Sequence, residues 1–190
     1  SNGSMGFNSI AKLAGFSDYY GLDEFEDSGM FEGDLFDGTW GIWDEEFMQY
    51  MAAEMDNIPE PFAVSFFSLS SHHPFVIPDH YQEKFKPGPM RGNYTTQYAD
   101  FALEKFFESV KTKSWFDNTL FIIVADHATT TYHKEYQNDV GNYRIPIILH
   151  KPDGSLTALK TDIAQQADVF PTILDALDID IDYFGFGHSL

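Results

Sequence analysis

Two titratable side chains, Asp126 and His127, directly follow a run of apolar residues in the segment TLFIIVADH. The run over residues 120–124 predicts a strand that is buried on both faces. Because ligands of open α/β sheets collect at the carboxyl ends of the strands, this Asp-His pair lies where chemistry usually occurs. A carboxylate and an imidazole, without any thiolate, suit a divalent ion such as Mn, Mg or Zn. The pair therefore predicts part of a metal site.

The same pair also has a purely structural interpretation. Asp126 would cap the next turn, and His127 would be an ordinary surface histidine. Two ligands do not complete a metal site, and no nucleophile is evident nearby. Three threonines follow in the sequence ATTTYH, but the chain has no G-x-S-x-G elbow and no glycine-rich phosphate loop. The pair by itself leaves both interpretations open.

A second apolar run, FAVSFFSL over residues 62–69, also predicts a buried strand. It ends in the segment SSHHPF, which contains His72 and His73. A histidine at this position can ligate a metal or hydrogen-bond an anionic substrate oxygen. Two predicted strands thus end in histidine-bearing turns, as a shared site at one edge of a sheet requires.

Three amphipathic segments predict helices that position these turns; they span residues 44–55, 93–111 and 168–177. Asp44 and Asp168 are the expected caps of the first and third helices, because a short carboxylate accepts hydrogen bonds from the first N–H groups of a helix. The residues expected to face the core are Phe47, Met48, Met51 and Met55 in the first helix, Tyr98, Phe101, Ala102, Leu103, Phe106, Phe107 and Val110 in the second, and Val169, Ile173, Leu174 and Leu177 in the third.

The other predicted elements are shorter. They are a helix over residues 8–14 that ends at Gly15, an irregular acidic loop over 23–38 and a strand over 145–149. His80 lies in a Pro-rich segment without an evident partner and is interpreted as a surface residue. The second helix followed by a buried strand makes an αβ unit, which is typical of the α/β class.

Composition restricts the possible classes of protein. The 190 residues are 43% apolar, with 19 Phe and 10 Tyr, which predicts one globular domain over residues 1–190. A net charge of -19 disfavours binding to nucleic acid and to anionic lipid surfaces. The absence of cysteine excludes disulfides, thiolate metal sites and Cys nucleophiles. No stretch has the length and apolarity of a membrane span.

Eight motifs, in this order, resemble the extracellular catalytic domain of the lipoteichoic acid synthase and phosphoglycerol transferase group, within the sulfatase and alkaline phosphatase superfamily. They are NGSMGF, GFSDYYG, DGTWGIWDEEF, FFSLSSHHPF, YADFALEKFF, FIIVADH, YRIPIILH and QADVFPTILDAL. The resemblance runs from about residue 2 to the end of the chain. It implies an α/β sandwich with a mixed, mainly parallel sheet between helices.

The resemblance also implies roles for individual residues. Asp126 and His127 match the family's paired ligands to one divalent ion, typically manganese. His72 matches a histidine that contacts substrate, and His73 takes the variable position beside it. Trp40 and the predicted helix cap Asp44 lie in a motif of this branch, where they either bind substrate or serve packing and capping. The family reaction is the transfer of a phosphoglycerol or related phosphoryl group from a lipid headgroup by a Thr or Ser nucleophile.

The family's glutamate ligand and its nucleophile lie upstream of the matched region. We therefore expect the 190 residues to be the C-terminal portion of a catalytic domain, inactive by itself, whose parent is anchored at the extracytoplasmic face of the membrane or lies in the periplasm. The implied partners are a phospholipid headgroup or an envelope polysaccharide, and the oligomeric state is not predicted. Two alternatives stay open: a sulfatase, phosphatase or phosphodiesterase of the same superfamily, and a degenerate binding module without catalysis.

Overall fold

The computed structural model describes residues 5–33 and 35–190, with side chains from residue 9 onward, so residues 2–4 of the motif NGSMGF and Asp34 of the predicted acidic loop lie outside the description. The chain divides into two compact units, Ser1–Phe116 and Asp117–Leu190. The single domain predicted over residues 1–190 stays a prediction. The helices and strands of the described residues are α1 (Met5–Leu13), α2 (Leu22–Ser28), α3 (Asp44–Met55), α4 (Gly92–Val110), β1 (Phe121–Val124), β2 (Ile147–His150) and α5 (Val169–Ala176).

Helices α3 and α4 pack against each other and form the centre of the first unit. Both were predicted from their apolar periodicity, α3 with its bounds and α4 to within one residue at each end. Burying a large apolar side chain contributes about 1.5–3 kcal/mol, so these two faces dominate the packing of the unit. The buried side chains include Phe47, Met48, Met51 and Met55 from α3 and Tyr98, Phe101, Ala102 and Val110 from α4.

The acidic segment after Gly21 is not wholly irregular, so the loop predicted over residues 23–38 is wrong in its first part. Residues Leu22–Ser28 form α2, and the Glu24 carboxylate accepts a hydrogen bond from the Gly21 N–H at 2.8 Å. Phe25 is buried and stacks on Phe31. Acidic residues in a first turn are favoured by the helix dipole, which the prediction of a loop did not take into account. Near the N-terminus, the predicted short helix is present as α1.

Residues 62–69 do not form the predicted strand. Among the residues that the structure describes, no segment pairs with their backbone in a ladder. Burial alternates along the segment, with Val64 and Phe66 packed against the core of α3 while Phe67 is 43% exposed. Such alternation is typical of an extended chain with one covered face. The apolar pattern predicted the extended conformation, but a strand also needs a partner, which the pattern does not specify.

In the second unit, β1 and β2 pair antiparallel, with Phe121 opposite His150 and Val124 opposite Ile147. The two predicted strands are therefore confirmed, with small shifts of their bounds. The prediction that β1 is buried on both faces is wrong within the described residues, because its first three residues are only half-buried and Val124 is exposed. The described residues thus form a two-stranded antiparallel sheet, and the parallel pairing that the resemblance implies is not present among them.

Helix α5 begins after a short 3-10 turn, Gln166–Asp168. Asp168 lies at the predicted capping position of α5, but its carboxylate does not cap that helix. It accepts hydrogen bonds from the backbone N–H groups of Gln165, at 2.8 Å, and His188, at 3.0 Å. Leu177 is exposed and does not face inward as predicted, because α5 ends one residue earlier.

Candidate active site

His72 and His73 lie in an exposed turn of the first unit, directly after residues 62–69. The His72 N–H donates to the Leu69 carbonyl, and the His72 carbonyl accepts from the Phe75 N–H, both at 3.0 Å. The His73 ring meets the Phe75 ring edge to face, with centroids 5.8 Å apart. Two successive backbone turns thus present both imidazoles on the surface.

Asp44 fixes the start of this turn. Its side chain has no exposed surface, and its carboxylate accepts hydrogen bonds from the backbone N–H groups of Leu69, at 2.9 Å, and Ser70, at 3.1 Å. The Asp44 N–H in turn donates to Ser70 Oγ. The predicted capping role is wrong, because buried backbone donors of the neighbouring segment take both carboxylate oxygens. The Asp44 side chain thus positions the start of the His72 turn, and the substrate contact expected of it stays a prediction.

Trp40 packs directly on His72, with ring centroids 4.5 Å apart in an edge-to-face arrangement. Its indole Nε1 donates to the carbonyl oxygen of His73 at 2.6 Å, and His72 Nδ1 lies 3.0 Å from the same oxygen. Because a carbonyl oxygen only accepts, His72 carries a hydrogen on Nδ1. The Nε2 atom of His72 is then the ring nitrogen left for a ligand, and Trp40 and His72, each predicted as a site residue, lie together.

The loop that carries Trp40 is held by Asp37, a residue that the sequence did not single out. One carboxylate oxygen of Asp37 accepts hydrogen bonds from the backbone N–H groups of Thr39, Trp40 and Gly41, at 2.6–3.1 Å. Gly38 occupies the left-handed region with φ of 81°, which glycine adopts without strain. The only sequence signal for this turn is the dipeptide Asp-Gly.

Asp126 and His127 lie just beyond β1 in the second unit, and both side chains are exposed. Asp126 Oδ2 is 3.5 Å from His127 Nε2, while Asp126 Oδ1 accepts from the His127 N–H at 2.8 Å. Two ligand atoms that each lie about 2.1 Å from a tetrahedrally coordinated ion are about 3.4 Å apart. The separation of these two atoms therefore fits ligation of one ion.

The other ring nitrogen of His127, Nδ1, lies 2.9 Å from the carbonyl oxygen of Ala128. This contact assigns the hydrogen to Nδ1 and leaves Nε2 with a lone pair, as in histidines that bind metals. Within the described part of the second unit, no third Asp, Glu or His joins the pair to form a three-ligand cluster. Asp126 and His127 thus present two potential ligand atoms side by side, and their role as metal ligands stays a prediction.

Gln166 holds the backbone of this pair and was missed by the sequence analysis. Its side-chain amide donates to the carbonyl oxygens of Ala125, at 2.9 Å, and Asp126, at 2.7 Å. Gln166 belongs to the 3-10 turn that Asp168 stabilises, and hydrogen bonds from the backbone of His188 and Gln165 lower the pKa of Asp168. Gln166 is the first residue of the motif QADVFPT, but no local sequence pattern indicates which backbone carbonyls its side chain binds.

A three-ligand cluster lies in the first unit, where Glu45, Glu46 and His80 bring their ligand atoms within 4.8 Å of one another. His80 is exposed, as predicted, but it does have partners, since its ring also packs on Tyr81. Burial raises the pKa of Glu46, whose carboxylate accepts a long hydrogen bond from the Tyr98 hydroxyl. Glu45 and Glu46 lie in the first turn of α3, where the helix dipole favours acidic residues.

The chain matches the sulfatase family model over residues 1–179. It is 29% identical over 187 residues to lipoteichoic acid synthase-like YvgJ of Bacillus subtilis, a match that covers 86% of this chain and 30% of the relative. Identity is 27% to lipoteichoic acid synthase 1 of the same organism and 26% to lipoteichoic acid synthase of Staphylococcus aureus, each over 90% of this chain. The chain spans about 30% of the length of these curated relatives.

A solved structure, that of a protein in the alkaline phosphatase superfamily from Vibrio parahaemolyticus, superposes with a TM-score of 0.75 and 26% identity. The match covers 95% of this chain and 44% of that protein. This likeness confirms the predicted fold class, an α/β sandwich of the alkaline phosphatase and sulfatase type. The relatives also confirm the resemblance to lipoteichoic acid synthases. The chain belongs to the sulfatase family, in the group that resembles lipoteichoic acid synthases.

Proposed function

We propose that this chain carries part of the active site of a metal-dependent phosphoryl transferase of the phosphoglycerol type. Its substrate is a phospholipid headgroup or an envelope glycopolymer, as the names of the lipoteichoic acid synthases suggest. In this proposal Asp126 and His127 are ligands of a divalent ion, with manganese preferred and magnesium or zinc as alternatives. His72 contacts the reacting group, and His73 and Trp40 line the substrate-binding surface.

The observation that carries the proposal is the 3.5 Å separation of Asp126 Oδ2 and His127 Nε2, combined with the contact of His127 Nδ1 to a backbone carbonyl. A metal-binding histidine typically has both features, a second ligand atom near its free ring nitrogen and an acceptor for the hydrogen on the other nitrogen. A bound divalent ion would stabilise negative charge that develops on a phosphoryl group. The high exposure of both side chains leaves such an ion open to substrate.

The proposed role of His72 follows from its tautomer. With Nδ1–H directed at the His73 carbonyl, Nε2 donates to a phosphoryl oxygen when the ring is protonated and accepts a proton when it is neutral. Trp40 restricts the ring to this orientation through its edge-to-face contact. Preorganisation of this kind is what a group that contacts the reacting atoms requires.

Membrane attachment and the extracytoplasmic location are also proposals, which rest on the same relatives. Among the described residues, no helix has the length and apolarity to cross a membrane. We further propose that the 190 residues alone turn over little substrate, because they correspond to about 30% of the relatives' length. Turnover by the purified 190-residue chain at the rate of the full-length protein would contradict this part of the proposal.

The test uses the full-length protein as the organism produces it. With manganese and phosphatidylglycerol vesicles, we expect release of diacylglycerol, which falls by at least a hundredfold in Asp126→Asn and His127→Gln variants. Asp139→Asn is the matched control, because Asp139 is an exposed aspartate of the same unit without an assigned role. Full activity of the Asp126→Asn variant would overturn the proposal.

A second candidate function is hydrolysis of a sulfate ester, which the sulfatase family model favours. The same protein is therefore assayed with an aryl sulfate, an aryl phosphomonoester and an aryl phosphodiester. The phosphoglycerol-type proposal expects the phosphodiester to be the best of the three small substrates. A preference for the sulfate would support the second candidate, and no turnover of any substrate would support a degenerate binding module.

A further inference from the structure

Residues 187–190 of the second unit lie along the beginning of α5 and are held there by two backbone hydrogen bonds. The His188 N–H donates to a carboxylate oxygen of Asp168 at 3.0 Å. The Leu190 N–H donates to the hydroxyl of Thr172 at 3.1 Å. Both acceptor side chains are buried, and buried acceptors of folded proteins keep their hydrogen-bond partners. The segment 187–190 is therefore fixed to α5 at two points.

Asp168 joins this segment to the 3-10 turn Gln166–Asp168. One of its carboxylate oxygens accepts from the His188 N–H, and the other accepts from the Gln165 N–H at 2.8 Å. The backbone carbonyl of Asp168 also accepts from the Thr172 hydroxyl, at 2.6 Å. Because one buried carboxylate is shared between the segment and the turn, the two parts of the backbone are held at a fixed separation.

Gly187 makes a close backbone contact with the same turn. A Cβ atom added at position 187 would overlap the carbonyl group of Ala167 and would lie 2.7 Å from the backbone nitrogen of Asp168. Backbone atoms do not move aside as the end of a flexible side chain does, so either the segment or the turn would have to shift. Glycine is the residue that allows two backbones to approach this closely.

The turn in turn contacts the backbone of the proposed metal ligands. It carries Gln166, whose Nε2 donates to the carbonyl oxygens of Ala125, at 2.9 Å, and Asp126, at 2.7 Å. Because one nitrogen atom makes both hydrogen bonds, a displacement of the turn changes the two together, and hydrogen bonds weaken steeply away from their preferred geometry. A continuous series of packed backbone groups and hydrogen bonds thus leads from Gly187 to Asp126.

We propose that Gly187 is a positioning residue for the metal pair Asp126 and His127. Its close approach to Ala167 holds the turn at the place from which Gln166 reaches the backbone of Asp126. Gly187 has no side chain to contact the ion or the substrate, so it acts through Gln166 and takes no part in the chemical step. This inference rests on the proposed function only in that Asp126 and His127 bind a divalent ion, and it is independent of the substrate.

Manganese affinity of the full-length protein, followed by electron paramagnetic resonance, measures the effect of Gly187→Ala. We expect affinity to weaken by about threefold to tenfold, because removal of an outer partner such as Gln166 sets the upper limit for a change that acts through it. Gly185→Ala is the matched control two residues away, where the added methyl group would meet the Tyr183 ring at 3.4–3.5 Å, an ordinary contact. We expect this control to change affinity by less than about twofold.

A double-mutant cycle tests whether Gly187 acts through Gln166. We expect the double variant Gln166→Ala/Gly187→Ala to bind manganese as tightly as Gln166→Ala alone, because the side chain that transmits the displacement is already absent. A purely structural role of Gly187 lowers the melting temperature but leaves this affinity unchanged well below it, or weakens affinity additively, and either result overturns the inference. If Gly187→Ala does not fold, Asp168→Asn takes its place in the cycle, with the same expectation, because its amide puts a donor opposite one of the two N–H groups.

The outcomes separate this inference from the proposed function. Unchanged manganese affinity in Gly187→Ala, with weakened affinity in Asp126→Asn, overturns the positioning role alone. Weakening that depends on Gln166, in a protein that turns over no phosphate ester, supports the positioning role and overturns only the proposed function. Affinity that Asp126→Asn leaves unchanged overturns both, because the ion is then bound elsewhere.

Discussion

The indole Nε1 of Trp40 and the Nδ1 of His72 are both directed at one atom, the carbonyl oxygen of His73, at 2.6 and 3.0 Å. This shared acceptor selects the tautomer of His72 and fixes the plane of its ring. Asp37 holds the Trp40 loop and Asp44 holds the start of the His72 turn, so residues far apart in the sequence orient one imidazole.

Replacing Trp40 by Phe keeps an aromatic ring but removes the donor to the His73 carbonyl. We expect kcat of the full-length protein to fall about tenfold, because a loosened catalytic group spends less time in the productive orientation. Trp115→Phe is the matched control, since it also removes an indole hydrogen bond, to Asp56 at 3.0 Å, within the same unit. Nitrogen NMR should show the same His72 tautomer in Trp40→Phe, because the His73 carbonyl still accepts from Nδ1, and an unchanged kcat in this variant would refute the role of Trp40.

Asp44→Ala removes two hydrogen bonds that a buried carboxylate accepts from backbone N–H groups. Hydrogen bonds to charged groups contribute about 1.5–3 kcal/mol each, so we expect the free energy of unfolding to fall by about 3–6 kcal/mol. Chemical denaturation measures the change. Asp27→Ala, which alters an exposed aspartate at the end of α2, should change stability by less than about 0.5 kcal/mol. A loss of the same small size in Asp44→Ala would contradict the positioning role.

The pKa of Asp168 is held below its usual value by hydrogen bonds from the backbone of His188 and Gln165. Since the unfolded chain then binds the proton more tightly, the stabilising contribution of Asp168 is complete above a pH of about 4 and is lost as pH falls through the lower, folded-state pKa. We expect the melting temperature to decline more steeply below pH 4 in the natural protein than in Asp168→Asn. Parallel curves for the two proteins would show that Asp168 does not contribute in this way.

Gln166→Ala removes both hydrogen bonds to the carbonyl oxygens of Ala125 and Asp126. Removing a residue that hydrogen-bonds a metal ligand typically weakens metal affinity by about 10- to 100-fold. We therefore expect the manganese affinity of Gln166→Ala to weaken about tenfold, while its melting temperature changes little. Gln137→Ala is a close control, because Gln137 also donates to two backbone carbonyls, those of Thr131 and Tyr132, in the same unit. Equal affinities of the two variants would exclude a role for Gln166 in the site.

The sequence predicted those elements whose apolar residues recur at a regular spacing along the chain. Helices α3 and α4 bury the residues that their spacing of three to four selects, including Met51 and Tyr98. The segment over 62–69 has an equally clear apolar pattern but forms no strand among the described residues, because strand pairing depends on a second segment. The apolar pattern of β1 indicated a strand but not how far it would be buried.

The candidate site shows the same difference between local patterns, which the sequence reveals, and contacts between distant segments, which it does not. Asp126, His127 and His72 were selected because each follows an apolar run, and this signal is local. Gln166 and Asp44 escaped or were misassigned, because their contacts join segments about 40 and 25 residues apart. The cluster of Glu45, Glu46 and His80 was missed for the same reason, because His80 comes from a segment about 35 residues away.

Manganese binding to the full-length protein tests the central claim most directly, because the described residues offer two candidate places for a divalent ion. The ion is titrated and followed by electron paramagnetic resonance in the natural protein and in Asp126→Asn, His127→Gln and Glu46→Gln variants. We expect tight binding to weaken at least a hundredfold in Asp126→Asn and His127→Gln and to persist in Glu46→Gln. Binding that is retained in Asp126→Asn and lost in Glu46→Gln would contradict the claim and assign the ion to Glu45, Glu46 and His80.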